Sequence, residues 1–280
     1  MQVMTRRWGV IEYGQSALFY YPDAASSIME FQHIREEKRG RIAIIWLNRQ
    51  DKLNSLTVDL VREMQACIDG LDPEETRVVL IRGMGKHFSS GADINGFRDL
   101  DSMGGLNFHR TLNDLVMKIR RFPNPVIAFL HGYSMGGGLE IAESADIRIA
   151  SDSAVISQPE INIGINAGAG GNVILPRLVG RGRAMYLILT GDRISAQKAS
   201  EIGLVDMVYP DATAWEDALG IAEKISGKPL DTMRFAKIAV NSAWESSIES
   251  SLELEAALFG NLFSSVETKE RIAAFLSKSR

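Results

Sequence analysis

A single cysteine, Cys67, stands in 280 residues, so no intrachain disulfide can form and no thiolate cluster can hold a metal. It falls in an apolar-periodic stretch and reads as a small core residue, which fits a reducing, cytoplasmic setting. Histidine is scarce as well: His33, His87, His109 and His131 show no metal-ligand spacing. None follows His131, so Gly132-Tyr-Ser134-Met-Gly136, which matches a hydrolase nucleophile elbow, lacks the downstream histidine and reads as chance. There is no Gly-x-x-x-x-Gly-Lys-Ser/Thr phosphate loop, no linker rich in Pro, Gly or Ser, and no apolar run long enough to span a bilayer. Positive charge is not in surplus either. The net charge is -4, which argues against nucleic acid or an anionic membrane as the main partner, although Arg177, Arg181 and Arg183 form a small basic cluster.

What is present suits one large domain, or a domain with a helical appendage: 45% of the residues are hydrophobic. Residues 1–30 carry Trp8, Tyr13, Phe19, Tyr20 and Tyr21 without helix or strand periodicity, and lack the apolar core and cleavage site of a secretory signal. They read as an extension, either an ordered arm or a tail, with Met29 as an alternative start. Beyond them, Ile42–Leu47, Val78–Ile81, Val126–Leu130, Asp146–Ala150 and Ala154–Ser157 read as short strands. Helices are expected over Leu60–Leu71, which Asp72-Pro73 ends, and over Leu106–Arg121, which Pro123 and Pro125 stop. Further helices follow Gly136–Gly138 and span Val173–Val179. This alternation predicts an α/β architecture. After about Gly191 the chain reads as helices alone: Ser195–Ile202, Trp215–Ile225, Thr232–Ser246, Ile248–Phe263 and Thr268–Ser277. The resulting division is 1–30 extension, 31–192 core with the site, and 193–280 a helical region serving as lid or assembly surface.

Two glutamates carry the chemistry. Glu140 follows Gly136-Gly-Gly138, where a strand gives way to a helix and small residues let backbone amides approach a ligand. Leu139 and Ile141 flank it, an apolar setting that raises a carboxyl pKa. Glu160 follows Pro159, which fixes the backbone ahead of it. A third segment, Ser89-Ser-Gly-Ala-Asp93, follows a strand, where α/β proteins place ligand contacts. Each segment taken alone has a plain structural reading: a tight turn, a surface glutamate, or Asp93 capping the next helix. Gly168-Ala-Gly-Gly171 could orient a water or simply pack. Together, two carboxyl groups beside backbone amides suit the addition of water across an activated double bond.

The ordered set resembles the enoyl-CoA hydratase/isomerase (crotonase) superfamily from about Phe31 to the C-terminus. It comprises Asn48-Arg-Gln-Asp-Lys-Leu-Asn-Ser-Leu56, Gly91-Ala-Asp-Ile94, Gly132-Tyr-Ser-Met-Gly-Gly-Gly-Leu-Glu140, Gln158-Pro-Glu160, Leu175-Pro-Arg-Leu-Val-Gly180 and Leu189-Thr-Gly-Asp-Arg-Ile-Ser-Ala196. The resemblance implies a spiral of ββα units and a C-terminal helical region that trimerises, often as a dimer of trimers. It implies an acyl-CoA thioester substrate and no metal or redox cofactor. Matched to the motifs, the amides of Ala92 and Gly137 form an oxyanion hole, Glu140 is the base toward water, and Glu160 is the acid that protonates the α-carbon. Gly168 helps place the water. Ala92, Asp93, Ile94 and Asn95 line the coenzyme A site, Lys52 and Leu53 lie near its adenine end, and Phe263 and Lys278 are further contacts. Hydration of a 2-trans-enoyl-CoA is the expected reaction. An enoyl-CoA isomerase, another acyl-CoA transformation, and a non-catalytic or RNA-binding relative are the alternatives. Two departures stand out: Asn95 where many hydratases have lysine, and Ala167-Gly-Ala-Gly-Gly-Asn-Val173 in place of Pro-Gly-Ala-Gly-Gly-Thr-Gln.

Overall fold

The computed structural model describes residues 9–13, 16–20 and 31–278. In a unit of its own, spanning Met1–Phe31, strands β1 (Gly9–Tyr13) and β2 (Ser16–Tyr20) pair antiparallel, where the sequence showed no strand periodicity. The remainder of residues 1–30 lies outside the described residues, as does the side chain of Lys278.

The second unit, Gln32–Arg280, opens with β3 (Ile34–Arg39), β4 (Ile42–Leu47), α1 (Val58–Gly70), β5 (Val78–Gly83) and α2 (Ser102–Arg121). It continues through β6 (Val126–Leu130), β7 (Tyr133–Met135), α3 (Gly137–Ser144), β8 (Ile147–Ser151) and β9 (Val155–Ser157). There follow α4 (Leu175–Val179), α5 (Arg181–Thr190), β10 (Ile194–Ser195), α6 (Ala196–Glu201) and β11 (Met207–Tyr209). Helices α7 (Ala214–Ser226), α8 (Leu230–Glu245), α9 (Ile248–Leu262) and α10 (Val266–Lys278) close the chain.

Six strands form one sheet in the order β11-β8-β6-β5-β4-β3, parallel except for the antiparallel edge strand β3. Three form a second, β10-β9-β7. The chain alternates between them. After β6 it enters β7, and after β8 it enters β9, which lies parallel to β7. The segment after β5 does the same through a parallel bridge of Ser89 to Ser134 on β7. Each turn therefore stacks on the last in both sheets, which is the spiral of ββα units expected from the resemblance.

The central strands are buried on both faces, so they read as unbroken apolar runs. Ile42, Ile44, Val78, Leu80, Ile127, Phe129 and Ile149 pack on one face with Ala214, Ala218, Leu219 and Ala222 of α7. Ala43, Ile45, Leu47, Val79, Ile81, Ala128 and Leu130 are buried on the other. Cys67 is buried, as expected of a core residue. In α2 the inward residues are those the spacing marked, Leu112, Leu115, Val116 and Ile119, but the helix starts earlier than expected because Asp101 caps it by accepting from Gly104 N–H at 2.7 Å.

The reading of everything after Gly191 as helix is corrected. Strand β11 extends the large sheet alongside β8, β10 extends the small one, and α7 covers the core. The runs Ile194-Ser195 and Met207-Val-Tyr209 are too short to show a period of two. Strand β3 escaped notice because its edge position leaves Arg35, Glu36, Lys38 and Arg39 exposed. No helix among the described residues is long and apolar enough to cross a membrane.

Helix α3 approaches the segment after β5 so closely that only glycine fits at Gly138: a Cβ there would lie 2.6 Å from Ser89 Cβ and 2.7 Å from its Oγ. Ser89 is fully buried and cannot move aside. Gly138→Ala is expected to cost about 1–3 kcal/mol, the usual range for overpacking, and to lower the melting temperature. An unchanged thermal unfolding curve would show that the two elements are not in contact.

Candidate active site

The site is assembled from segments that follow the C-terminal ends of strands. After β4, Leu53 and Asn54 both take positive φ, 51° and 53°. Asn54 is buried, and its side chain ties three segments together. It accepts from Arg49 N–H at 2.9 Å and donates to the carbonyls of Met84 (2.9 Å) and His87 (2.7 Å). Ser89 Oγ donates back to the Asn54 carbonyl at 2.8 Å. Beyond this staple, Leu56 N–H donates to Gly91 O at 2.8 Å and Asp93 N–H donates to Leu56 O at 2.9 Å. Ala92, bridged between them, must therefore point its own N–H away from Leu56.

The Ala92 nitrogen lies beside the start of α3. A Cβ built on Gly137 would lie 3.8 Å from Ala92 N and 3.9 Å from Glu140 Oε2. Among the described residues neither Ala92 N–H nor Gly137 N–H donates to a backbone carbonyl. Two unpaired amides thus converge at a helix N-terminus, where a developing oxyanion is favoured. Gly136 is needed just before them. Its φ is 52°, and a Cβ would meet Glu160 Oε1 at 2.6 Å.

Glu140, in the first turn of α3, is 1% exposed. Its Oε1 accepts from Ala169 N–H at 2.6 Å and from Gly171 N–H at 2.8 Å. Burial raises its pKa, and these amides oppose the rise by favouring the ionised form. Glu160 opens a single helical turn, Glu160–Ile163, directly after Pro159. Gln158 Nε2 donates to its Oε1 at 3.1 Å, whereas its Oε2 is buried without a hydrogen-bond partner. Burial, and then the charge of Glu140, push the Glu160 pKa up to about 7. The environments differ as an acid and a base require: amides stabilise a carboxylate at 140, and a largely unpaired carboxyl at 160 favours holding a proton.

Both glutamates line one cavity of about 770 Å³ together with Ala92, Gly137 and Gly168, so five of the expected residues come together. An adjoining cavity of about 360 Å³ is lined by Asp93 and Asn95. Asp93 behaves as its plain structural reading had it. Its carboxylate accepts from Arg49 at 3.2 Å and caps the turn Ile94–Phe97 through Asn95 N–H at 3.3 Å, which locks the loop that carries Ala92. Ile94 is 56% exposed. Lys52 ends a turn on the surface, and Leu53 is joined to the same loop where its carbonyl accepts from Ser90 N–H at 3.0 Å. Phe263, at the end of α9, meets Phe259 edge to face and lines neither cavity, and the Lys278 side chain lies outside the described residues. Among the described residues no group of three or more His, Cys, Asp or Glu is placed to hold a metal ion.

Sequence reasoning missed several participants. The amides of Ala169 and Gly171 hold Glu140, a role that no side-chain type announces. Gln158 steadies Glu160. Asn172, one of the departures, donates to Ala167 O at 2.8 Å and closes the glycine-bearing loop. His109 on α2 lines the large cavity. Glu143, one turn beyond Glu140, is buried with neither carboxyl oxygen hydrogen-bonded, and burial followed by the charge of Glu140 raises its pKa well above the usual range.

Known proteins resemble this chain over most of its length. The family model described as Enoyl-CoA hydratase/isomerase matches residues 37–280. The short-chain-enoyl-CoA hydratase of Clostridium acetobutylicum is 36% identical, over 90% of this chain and 97% of that protein. The crotonyl-CoA hydratase of Syntrophomonas wolfei is 34% identical, over 90% of this chain and 98% of that protein. The crystal structure of enoyl-CoA hydratase from Thermoplasma volcanium is 44% identical and superposes with a TM-score of 0.83, covering 89% of this chain and 98% of that one.

Glu143 gives a test of this electrostatic picture. Its folded-state pKa lies above the unfolded value, so its folded form keeps a proton that the unfolded chain releases. The stability it permits is complete below about pH 4, near the unfolded carboxyl pKa, and is lost as pH rises through the folded value. Glu143→Met removes that loss. The variant is expected to gain on the wild type by about 1–3 kcal/mol at neutral pH and to lose the gain toward pH 4, measured by urea unfolding across that range. Parallel stability profiles would exclude a buried, unpaired carboxyl at this position.

Proposed function

Because this chain belongs to the enoyl-CoA hydratase/isomerase family, we propose a reading of its site within that chemistry. The protein is an enoyl-CoA hydratase, a hydro-lyase that adds water reversibly across a 2-trans-enoyl-CoA to give a 3-hydroxyacyl-CoA. The observation that carries the mechanism is convergence: two carboxyl groups of unlike environment face one cavity beside two unpaired amides.

In this reading the thioester carbonyl accepts from the Ala92 and Gly137 N–H groups. They stabilise the negative charge that builds on its oxygen as water adds. Glu140, ionised and held by Ala169 and Gly171, takes a proton from water while the oxygen bonds to C3. Glu160 gives its proton to C2. Dehydration is the same path reversed, with the two carboxyls exchanging roles. Gly168 stands beside Glu140, where its amide helps to place the water. Lys52, Leu53, Asp93, Ile94, Asn95, Phe263 and Lys278 are the proposed contacts of the coenzyme A moiety, Asp93 through its backbone.

A homotrimer or dimer of trimers is part of the same reading. Ile248 (81% exposed), Leu252 (58%), Phe259 (62%) and Val266 (69%) leave an apolar surface on α9 and α10, which supports assembly through the C-terminal helices. A cytoplasmic location fits the single buried cysteine.

Crotonyl-CoA is the substrate to assay first, by loss of the conjugated thioester absorbance. Glu140→Gln and Glu160→Gln are each expected to slow hydration on the order of a hundredfold or more. Glu160 must enter protonated, so kcat/KM for hydration is expected to fall as pH rises through about 7, its shifted pKa. A profile still rising there would remove Glu160 from the acid role. Conversion of a 3-enoyl-CoA without hydration would move the assignment to isomerase.

A further inference from the structure

Helix α2 passes over the cavity that holds Glu140 and Glu160, and it presents His109 to that cavity. The imidazole is held at both nitrogens. Nδ1 meets the Gly168 carbonyl oxygen, and Nε2 lies 2.9 Å from Nδ2 of Asn113, one turn further along α2. A carbonyl can only accept, so Nδ1 carries the proton toward Gly168. In the neutral ring Nε2 is then an acceptor, which matches the donor that Asn113 offers. The partners thus assign one tautomer, with Nδ1–H aimed at the loop.

That loop is the cradle of Glu140. Ala167–Gly171 contributes the two amides that bond Oε1, at 2.6 and 2.8 Å, yet consists only of alanine and glycine. Its alanines are buried and the Gly170 carbonyl accepts from Val173 and Ile174 N–H, but it has no polar side chain with which to hold its first half, which must be anchored from outside. Asn172 anchors one end through the Ala167 carbonyl, and His109 anchors the middle through the carbonyl of Gly168.

We propose that His109 is a positioning residue for Glu140, holding the Gly168 peptide so that the Ala169 and Gly171 amides stay aimed at the carboxylate. It takes no proton in the reaction. The inference rests on the hydratase reading for its kinetic consequences, whereas the anchoring itself does not. Loosening the loop weakens two charge-assisted bonds that favour ionised Glu140. The carboxyl then holds its proton to higher pH, and less of the enzyme carries the base. The titratable groups around Glu140 are Glu143 on the same helix, Glu160 from the segment after β9, and Asp101 and His109 itself from α2.

Asparagine offers an amide N–H at nearly the position of Nδ1–H, and leucine offers none. The experiment compares His109→Leu and His109→Asn in the intact protein by hydrogen exchange of the peptide spanning 165–173 and by the pH profile of crotonyl-CoA hydration. The expected result for His109→Leu is faster exchange in that peptide, a kcat lower by on the order of tenfold with KM little changed, and an acid limb displaced to higher pH. His109→Asn, which like leucine has no titrating ring, restores all three. Wild-type exchange and kcat in His109→Leu would overturn the proposal, and so would equal defects in the two variants. If the wild type hydrates nothing while exchange follows the expected pattern, the anchor stands and the hydratase reading falls.

Discussion

Glu140 and Glu160 cannot both be ionised at low cost in one cavity. Burial strips each carboxylate of hydration, and the charge on Glu140 further opposes ionisation at Glu160. Much of the surrounding structure settles which of them carries the charge. The Ala169 and Gly171 amides are spent on Glu140, so its carboxylate keeps a hydrogen-bonded place in the interior. At Glu160 the Gln158 side chain donates to one oxygen at 3.1 Å, and the second oxygen is buried without a partner. The charge on Glu140 raises the cost of ionising Glu160, and the asymmetry of their partners sets the direction of that effect.

The spiral is what allows so many backbone groups to meet. Each ββα turn places a strand-end segment directly above the one before it. The Ala92 amide comes from the turn after β5, the Gly137 amide and Glu140 from the turn after β7, and Glu160 from the turn after β9. Parallel stacking aligns these ends, but short loops would not hold them to the precision that catalysis needs. Polar staples do that: Asn54 and Ser89 join the first two turns, and the Arg49–Asp93 pair holds the loop between them. These residues touch no reacting atom in the proposed mechanism, yet removing one leaves buried polar groups unpaired as well as a loose amide.

Much of this was legible in the sequence, for a physical reason. Central parallel strands are buried on both faces, so Ile42–Leu47 and Val126–Leu130 announce themselves as apolar runs. Glycine runs and a proline mark the turns that carry the amides and Glu160. The edge strand β3 and the three-residue β11 were not legible, because their pairing is set by neighbours distant in sequence rather than by their own pattern. The cradle of Glu140 was illegible for a different reason. Backbone amides look alike in every residue, so Ala169 and Gly171 could be found only by geometry. Asp93 shows the opposite case: a charged residue inside a ligand-lining motif is used to hold the loop itself.

Helix α3 holds buried carboxyl groups of both kinds, one with hydrogen-bond donors and one without. Every residue from Gly137 to Ser144 is buried, yet the helix carries two carboxyl groups one turn apart. The structure treats them in opposite ways. At Glu140 it supplies amide donors, which oppose the rise that burial imposes on its pKa. At Glu143 it supplies none, and Arg148 acts on it only at a distance, being committed to Asp206 at 3.0 Å and to the Leu204 and Ala145 carbonyls. A protonated Glu143 adds no second negative charge behind Glu140, and an ionised one would. The neutrality of Glu143 therefore favours a negative charge on Glu140, the base of the proposed mechanism. The same absence of partners that costs the fold some stability leaves Glu140, which faces the cavity, as the better place on α3 for a negative charge.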